Sequence, residues 1–80
     1  MLESIKSSKK TIGIRQSLKA VENGIAGTVY IAKDADEKVV RNIKELCSVS
    51  SIEIVYIDTM KQLGKACGIE VGAAVACVLK

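Results

Sequence analysis

Three short stretches of the chain are apolar almost without interruption: GTVYIA at 27–32, IEIVYI at 52–57 and AAVACVL at 73–79. They are of strand length and include β-branched residues, the pattern expected of strands buried on both faces. Between the first two the period changes. Val39, Val40, Ile43, Leu46 and Cys47 recur with the spacing of one helix face, while Lys38, Arg41, Lys44 and Glu45 fall on the other. Residues 58–68, DTMKQLGKACG, read as another helix, with Asp58 or Thr59 as N-cap and Gly68 as the stop. Residues 11–13 predict a short strand, 14–23 a helix, and 1–10 a further short helix. Strands alternating with helices predict an α/β fold, a three-layer α/β/α sandwich around a mixed sheet of about four short strands. The pattern leaves the strand order open. No proline, repeat or linker composition divides the chain, so one domain over residues 1–80 is expected.

The helix at 14–23 carries the most informative pattern. At about 100° per residue, Gln16 lies about 100° and Lys19 about 40° from Arg15. Ile14, Ser17, Leu18 and Val21 fall between about 200° and 300° on the same wheel. Apolar and polar faces therefore separate cleanly. A plain amphipathic helix with a solvated face would separate in the same way. Yet a helix start usually carries acids, because its exposed N–H groups are locally positive, and this one carries a cation and an amide. Gly13, at the strand–helix junction, permits close backbone approach. The first-turn N–H groups favour an anion or another acceptor. Arginine and glutamine are planar donors suited to base edges, arginine above all to guanine O6 and N7.

Charge changes the picture through its distribution. The net charge is +3. Residues 1–33 hold Lys6, Lys9, Lys10, Arg15, Lys19 and Lys33 against Glu3 and Glu22, whereas the remainder is slightly acidic. Clustered positive charge on a small domain is the footprint expected for a polyanion. Regular RNA duplex does not fit, because its major groove is too deep and narrow for a helix tip. A sheet that stacks single-stranded bases does not fit either, since Tyr30 and Tyr56 are the chain's aromatic residues and both lie in predicted strands. A groove opened by an internal loop or a sharp bend fits best.

Other chemistry is disfavoured. The chain is 49% hydrophobic and 26% charged, unlike a membrane protein or a disordered tail. The uncharged run at 71–79 is about half the length of a spanning helix, and residues 1–10 hold no signal-peptide core. A cytosolic monomer with no membrane contact is expected. With no histidine and no CxxC spacing, no metal, cofactor or Cys-His nucleophile is expected. Cys47, Cys67 and Cys77 read as buried apolar residues in a reducing compartment. A reactive Cys67 beside Lys65 would require a site that lowers its pKa. The LGKAC segment at 63–67 resembles a phosphate-binding loop, but Thr59 and Ala66 stand where that motif needs glycine and a hydroxyl. An enzyme lacks its usual equipment here. Asp34, Asp36 and Glu37 read as an acidic helix start.

On these residues the chain resembles the kink-turn RNA-binding ribosomal proteins, the L-seven-Ae family, and in particular their short bacterial members. The family motif runs glycine, any residue, asparagine, glutamate, any two residues, lysine. Gly13 and Lys19 match it, while Arg15 and Gln16 replace the asparagine and glutamate, as is common in the short bacterial members. VYIAKDAD at 29–36 is similar to the family's strand and acidic loop. LGKACGIEVGAA at 63–74 is similar to its most recognisable block.

The resemblance implies a rigid α/β/α sandwich that binds a kink-turn, in which a bulge bends two stems and exposes sheared G·A pairs. It implies that the helix after Gly13 enters the widened groove, with Arg15, Gln16 and Lys19 on guanine edges and nearby phosphates. Ile69, Glu70 and Val71 would pack against the bulge, and Asp36 and Val40 would lie near an extruded base. Lys33, with Lys9 and Lys10, is a candidate for phosphate contact. An apolar–acid–apolar triplet between Gly68 and Gly72 agrees with this, because glycine-flanked loops can approach a ligand closely. Burial of Ile69 and Val71 in the core is the competing reading. The target stays open among ribosomal RNA, a riboswitch-like RNA and a ribonucleoprotein particle, as does association with the ribosome. A protein-interaction module on the same fold is the alternative function.

Overall fold

A computed structural model describes residues 9–80 of the chain. The elements run β1 (Lys10–Ile12), α1 (Ile14–Glu22), β2 (Ala26–Ala32), α2 (Glu37–Ser50), β3 (Glu53–Ile57), α3 (Met60–Ala66) and β4 (Val75–Leu79). The helix expected over residues 1–10 falls mostly outside the described residues, and Lys10 already belongs to β1.

The strands form a mixed sheet in the order β1-β4-β2-β3. The last strand is thus inserted beside the first, an arrangement that periodicity alone does not reveal. β4 pairs antiparallel with both β1 and β2, while β2 and β3 pair parallel across the α2 connection. Side-chain alternation divides the core into two layers. Val29, Ile31, Val75 and Cys77 point toward α1 and α2, where Ala20, Val21, Val40, Ile43 and Cys47 meet them. Tyr30, Ala32 and Ala76 point the other way, against Leu63 and Cys67 of the α3 segment. That is a three-layer α/β/α sandwich.

Two expectations are corrected. β3 is not buried on both faces: Glu53 and Tyr56 are exposed, and the remaining residues are half-buried. The cause is its position at the sheet edge, where one flank has no neighbouring strand. The Lys44 ammonium, hydrogen-bonded to Glu37 at 2.9 Å, sits 5.6 Å from the centre of the Tyr56 ring and partly covers that face. Val39 lies at the margin of the α2 apolar stripe and is exposed, whereas Val40, Ile43 and Cys47 are buried. Among the described residues no helix is long and apolar enough to cross a membrane.

Candidate nucleic-acid interface

Three connections meet at one end of the sheet, and backbone hydrogen bonds fix their order. The Gly13 N–H donates to the Val75 carbonyl at 2.8 Å, joining the β1–α1 junction to the start of β4. The Ala32 N–H donates to the Ala74 carbonyl at 2.9 Å, and the Lys33 N–H to the Ile57 carbonyl at 2.7 Å. The α1 tip, the 67–74 loop and the 33–36 loop therefore form a row. The tip and the 33–36 loop are separated by two strand spacings, about 10 Å.

At the first position, Gly13 has φ 101° and ψ 159°, a backbone conformation that side chains with a Cβ rarely adopt. It lets β1 turn directly into α1. No side chain among the described residues caps the start of α1, and its first turn carries no acid. Its leading N–H groups consequently point outward as donors. Arg15, Gln16 and Lys19 are exposed on the side opposite buried Ser17, Ala20 and Val21, as the helical spacing predicts. Neither Arg15 nor Lys19 is paired with a carboxylate among the described residues. The end of α1 is a cationic surface ready for an anionic or acceptor-rich partner.

The middle loop is shaped by glycine. Gly68, with φ 82°, follows the end of α3, and the Ile69 N–H returns to the Gly64 carbonyl at 3.0 Å. Gly64 is buried within α3, and any Cβ there would collide with the Val71 carbonyl oxygen. The glycine of LGKAC therefore serves close packing of a loop on a helix, a role that its phosphate-loop-like surroundings disguise. On this support Val71 is 70% exposed and Glu70 is exposed, while Ile69 rests half-buried against the α3 side of the core. The competing reading, burial of Ile69 and Val71, holds only for Ile69, and there only in part. Val71 is thus an exposed apolar side chain on the loop at the middle of the row.

At the third position the acidic residues have separate structural tasks. Asp36 is the N-cap of α2 and accepts from the Lys38 N–H at 3.0 Å. Asp34 instead accepts from the Met60 N–H at 2.7 Å, across the sheet end. Lys33 pairs with Asp58 at 3.2 Å, with both side chains largely exposed. Such a pair contributes about 0–1 kcal/mol, so a phosphate can take Lys33 over. Val40, expected near a bound base, is 2% exposed and packs in the core. The helical period that makes α2 amphipathic turns Val40 inward, so it offers no surface contact.

The three cysteines are free and buried. Burial raises each thiol above its ordinary pKa, Cys67 included despite the lowering effect of Lys10. This is the opposite of a reactive thiol.

A mixed-sheet α/β/α module that presents a cationic, uncapped helix tip beside a glycine-shaped loop is the architecture of a small binding protein, with its candidate surface at one sheet end. The chain belongs to the ribosomal protein L7Ae/L30e/S12e/Gadd45 family, whose sequence profile matches residues 2–80. It is 60% identical over 68 residues to an RNA-binding protein of Caldanaerobacter subterraneus subsp. tengcongensis, covering 85% of this chain and 83% of that protein. It is 37% identical over 83 residues to the large ribosomal subunit protein eL8 of Halobacterium salinarum, covering 98% of this chain and 69% of that one. A Giardia lamblia 15.5kD RNA binding protein superposes with a TM-score of 0.89 at 30% identity, over 99% of this chain and 70% of that chain.

Proposed function

We propose that this is a non-catalytic RNA-binding protein that recognises a kink-turn and holds it bent. The observation that carries the reading is the α1 tip: uncapped N–H groups, with Arg15 and Gln16 exposed and without a carboxylate partner among the described residues, in one row with exposed Val71. Relatives named as RNA-binding proteins support it, and the likeness to a large-subunit ribosomal protein supports a ribosomal RNA target.

In the proposed complex the tip enters a groove widened by the bend. Arg15 and Gln16 donate to guanine edges, Lys19 and Lys33 neutralise phosphates, and Val71 covers the bulge. An RNA bent in solution only a small fraction of the time becomes mostly bent if the protein prefers that form strongly. A shift from 1:99 to 99:1 requires about a 10⁴-fold preference. The protein supplies no energy beyond its differential affinity for the two states.

A kink-turn RNA labelled at both stem ends tests this by energy transfer. Transfer should rise on titration with protein and saturate, whereas a plain duplex of equal length should bind weakly and stay extended. Equal affinity for duplex and kink-turn would favour a general basic surface or a protein-interaction module instead.

A further inference from the structure

The 33–36 loop carries carboxylates beside a surface proposed to meet a polyanion. On charge alone each would weaken binding. Asp36 has a task as the α2 cap. Asp34 has a different one: it reaches 26 positions along the chain to accept the Met60 N–H at 2.7 Å. Met60 opens α3, so this N–H is one of the helix's orphan donors. The Thr59 hydroxyl takes the Gln62 N–H at 3.0 Å, which leaves the Met60 donor to Asp34.

Met60 is also the foundation of the 69–72 loop. Its carbonyl accepts the Ala73 N–H at 3.0 Å. A Cβ built at Gly72 would lie 3.2 Å from the Met60 Cβ, so the loop backbone rests directly on this residue. The chain of contacts runs from Asp34 through Met60 to Gly72 and Ala73, and from there to exposed Val71. Both loops of the proposed interface are thus joined through one carboxylate.

We propose that Asp34 is a positioning residue of the RNA interface: by holding the Met60 N–H, its carboxylate sets the 69–72 loop at the height and angle at which Val71 meets RNA. This rests on the RNA-binding reading above. Asp34 touches no nucleotide in this scheme, and its negative charge is a cost accepted for geometry.

Charge and geometry predict opposite signs. Asp34→Asn removes the charge but keeps a carbonyl Oδ1 that accepts from Met60, whereas Asp34→Ala removes both. Loss of a charge-assisted hydrogen bond at the loop's support should lower kink-turn affinity about tenfold in Asp34→Ala, although the surface has become more positive. Asp34→Asn should bind at least as tightly as the wild type. Asp34→Glu keeps the charge, displaces the oxygen by one methylene, and should also lose affinity. In the free protein, amide exchange at Met60 and Ala73 should quicken in Asp34→Ala and stay slow in Asp34→Asn.

Asp58→Asn is the charge control, because Asp58 pairs with Lys33 rather than with Met60. It should tighten binding. If Asp34→Ala and Asp34→Asn both tighten binding to the same degree as Asp58→Asn, or if all variants bind alike, positioning by Asp34 is refuted. Failure of the wild-type protein to prefer a kink-turn over duplex would instead refute the RNA reading, and the two failures are separable.

Discussion

The Thr11 hydroxyl lies 3.1 Å from the Ser17 hydroxyl, and Ser17 is wholly buried. This side-chain bond ties β1 to α1 across Gly13, directly behind the tip proposed to meet RNA. Ser17→Ala removes this bond, although the Cys77 thiol stays beside the Thr11 hydroxyl as a second partner, and should cost about 0.5–1.5 kcal/mol of stability. Urea unfolding measures it. Thr11→Val with Ser17→Ala should cost less than the sum of the single changes, since the bond the two residues share is lost only once.

Gly13 and Gly64 should both resist alanine, for different reasons. At Gly13 a Cβ meets nothing within 4 Å, and only the φ of 101° opposes it. The expected cost is about 1–3 kcal/mol of backbone strain. At Gly64 the backbone is helical and the obstacle is the Val71 carbonyl. Gly64→Ala should therefore displace the 69–72 loop. Crystal structures of the two variants separate the mechanisms: Gly64→Ala should shift Val71, and Gly13→Ala should leave it in place.

The cysteines predict an alkaline weakening. Each folded-state thiol is raised above its ordinary pKa of 9.0 by burial. Between the unfolded and folded values the unfolded chain binds fewer protons, so stability falls as pH rises. It should be fully retained below about pH 9 and decline above it. Denaturant midpoints across that range check the slope. A thiol reagent at neutral pH should react on unfolding and scarcely before.

Much of this architecture was legible in the sequence because periodicity reports burial. Val29, Ile31, Val40 and Ile43 lie inside, and Arg15, Gln16 and Lys19 outside, where strand and helix spacing put them. What depends on distant partners was not legible. β3 has the composition of a central strand, yet pairing leaves it at an edge. Gly64 and Asp34 act on residues far along the chain, Val71 and Met60, and no local spacing signals either contact. A glycine in mid-helix was the one available hint, since it weakens a helix unless something packs against it.

A thermodynamic cycle shows whether Arg15 reads a base at the helix tip. Affinities of wild-type protein and Arg15→Ala are measured for a kink-turn and for the same RNA with its sheared G·A pairs replaced by Watson–Crick pairs. On the intact RNA, Arg15→Ala should cost about 1–3 kcal/mol, and on the replaced RNA almost nothing. Equal losses on both RNAs would make Arg15 a phosphate contact with no part in recognition, and base reading at the helix tip would be refuted.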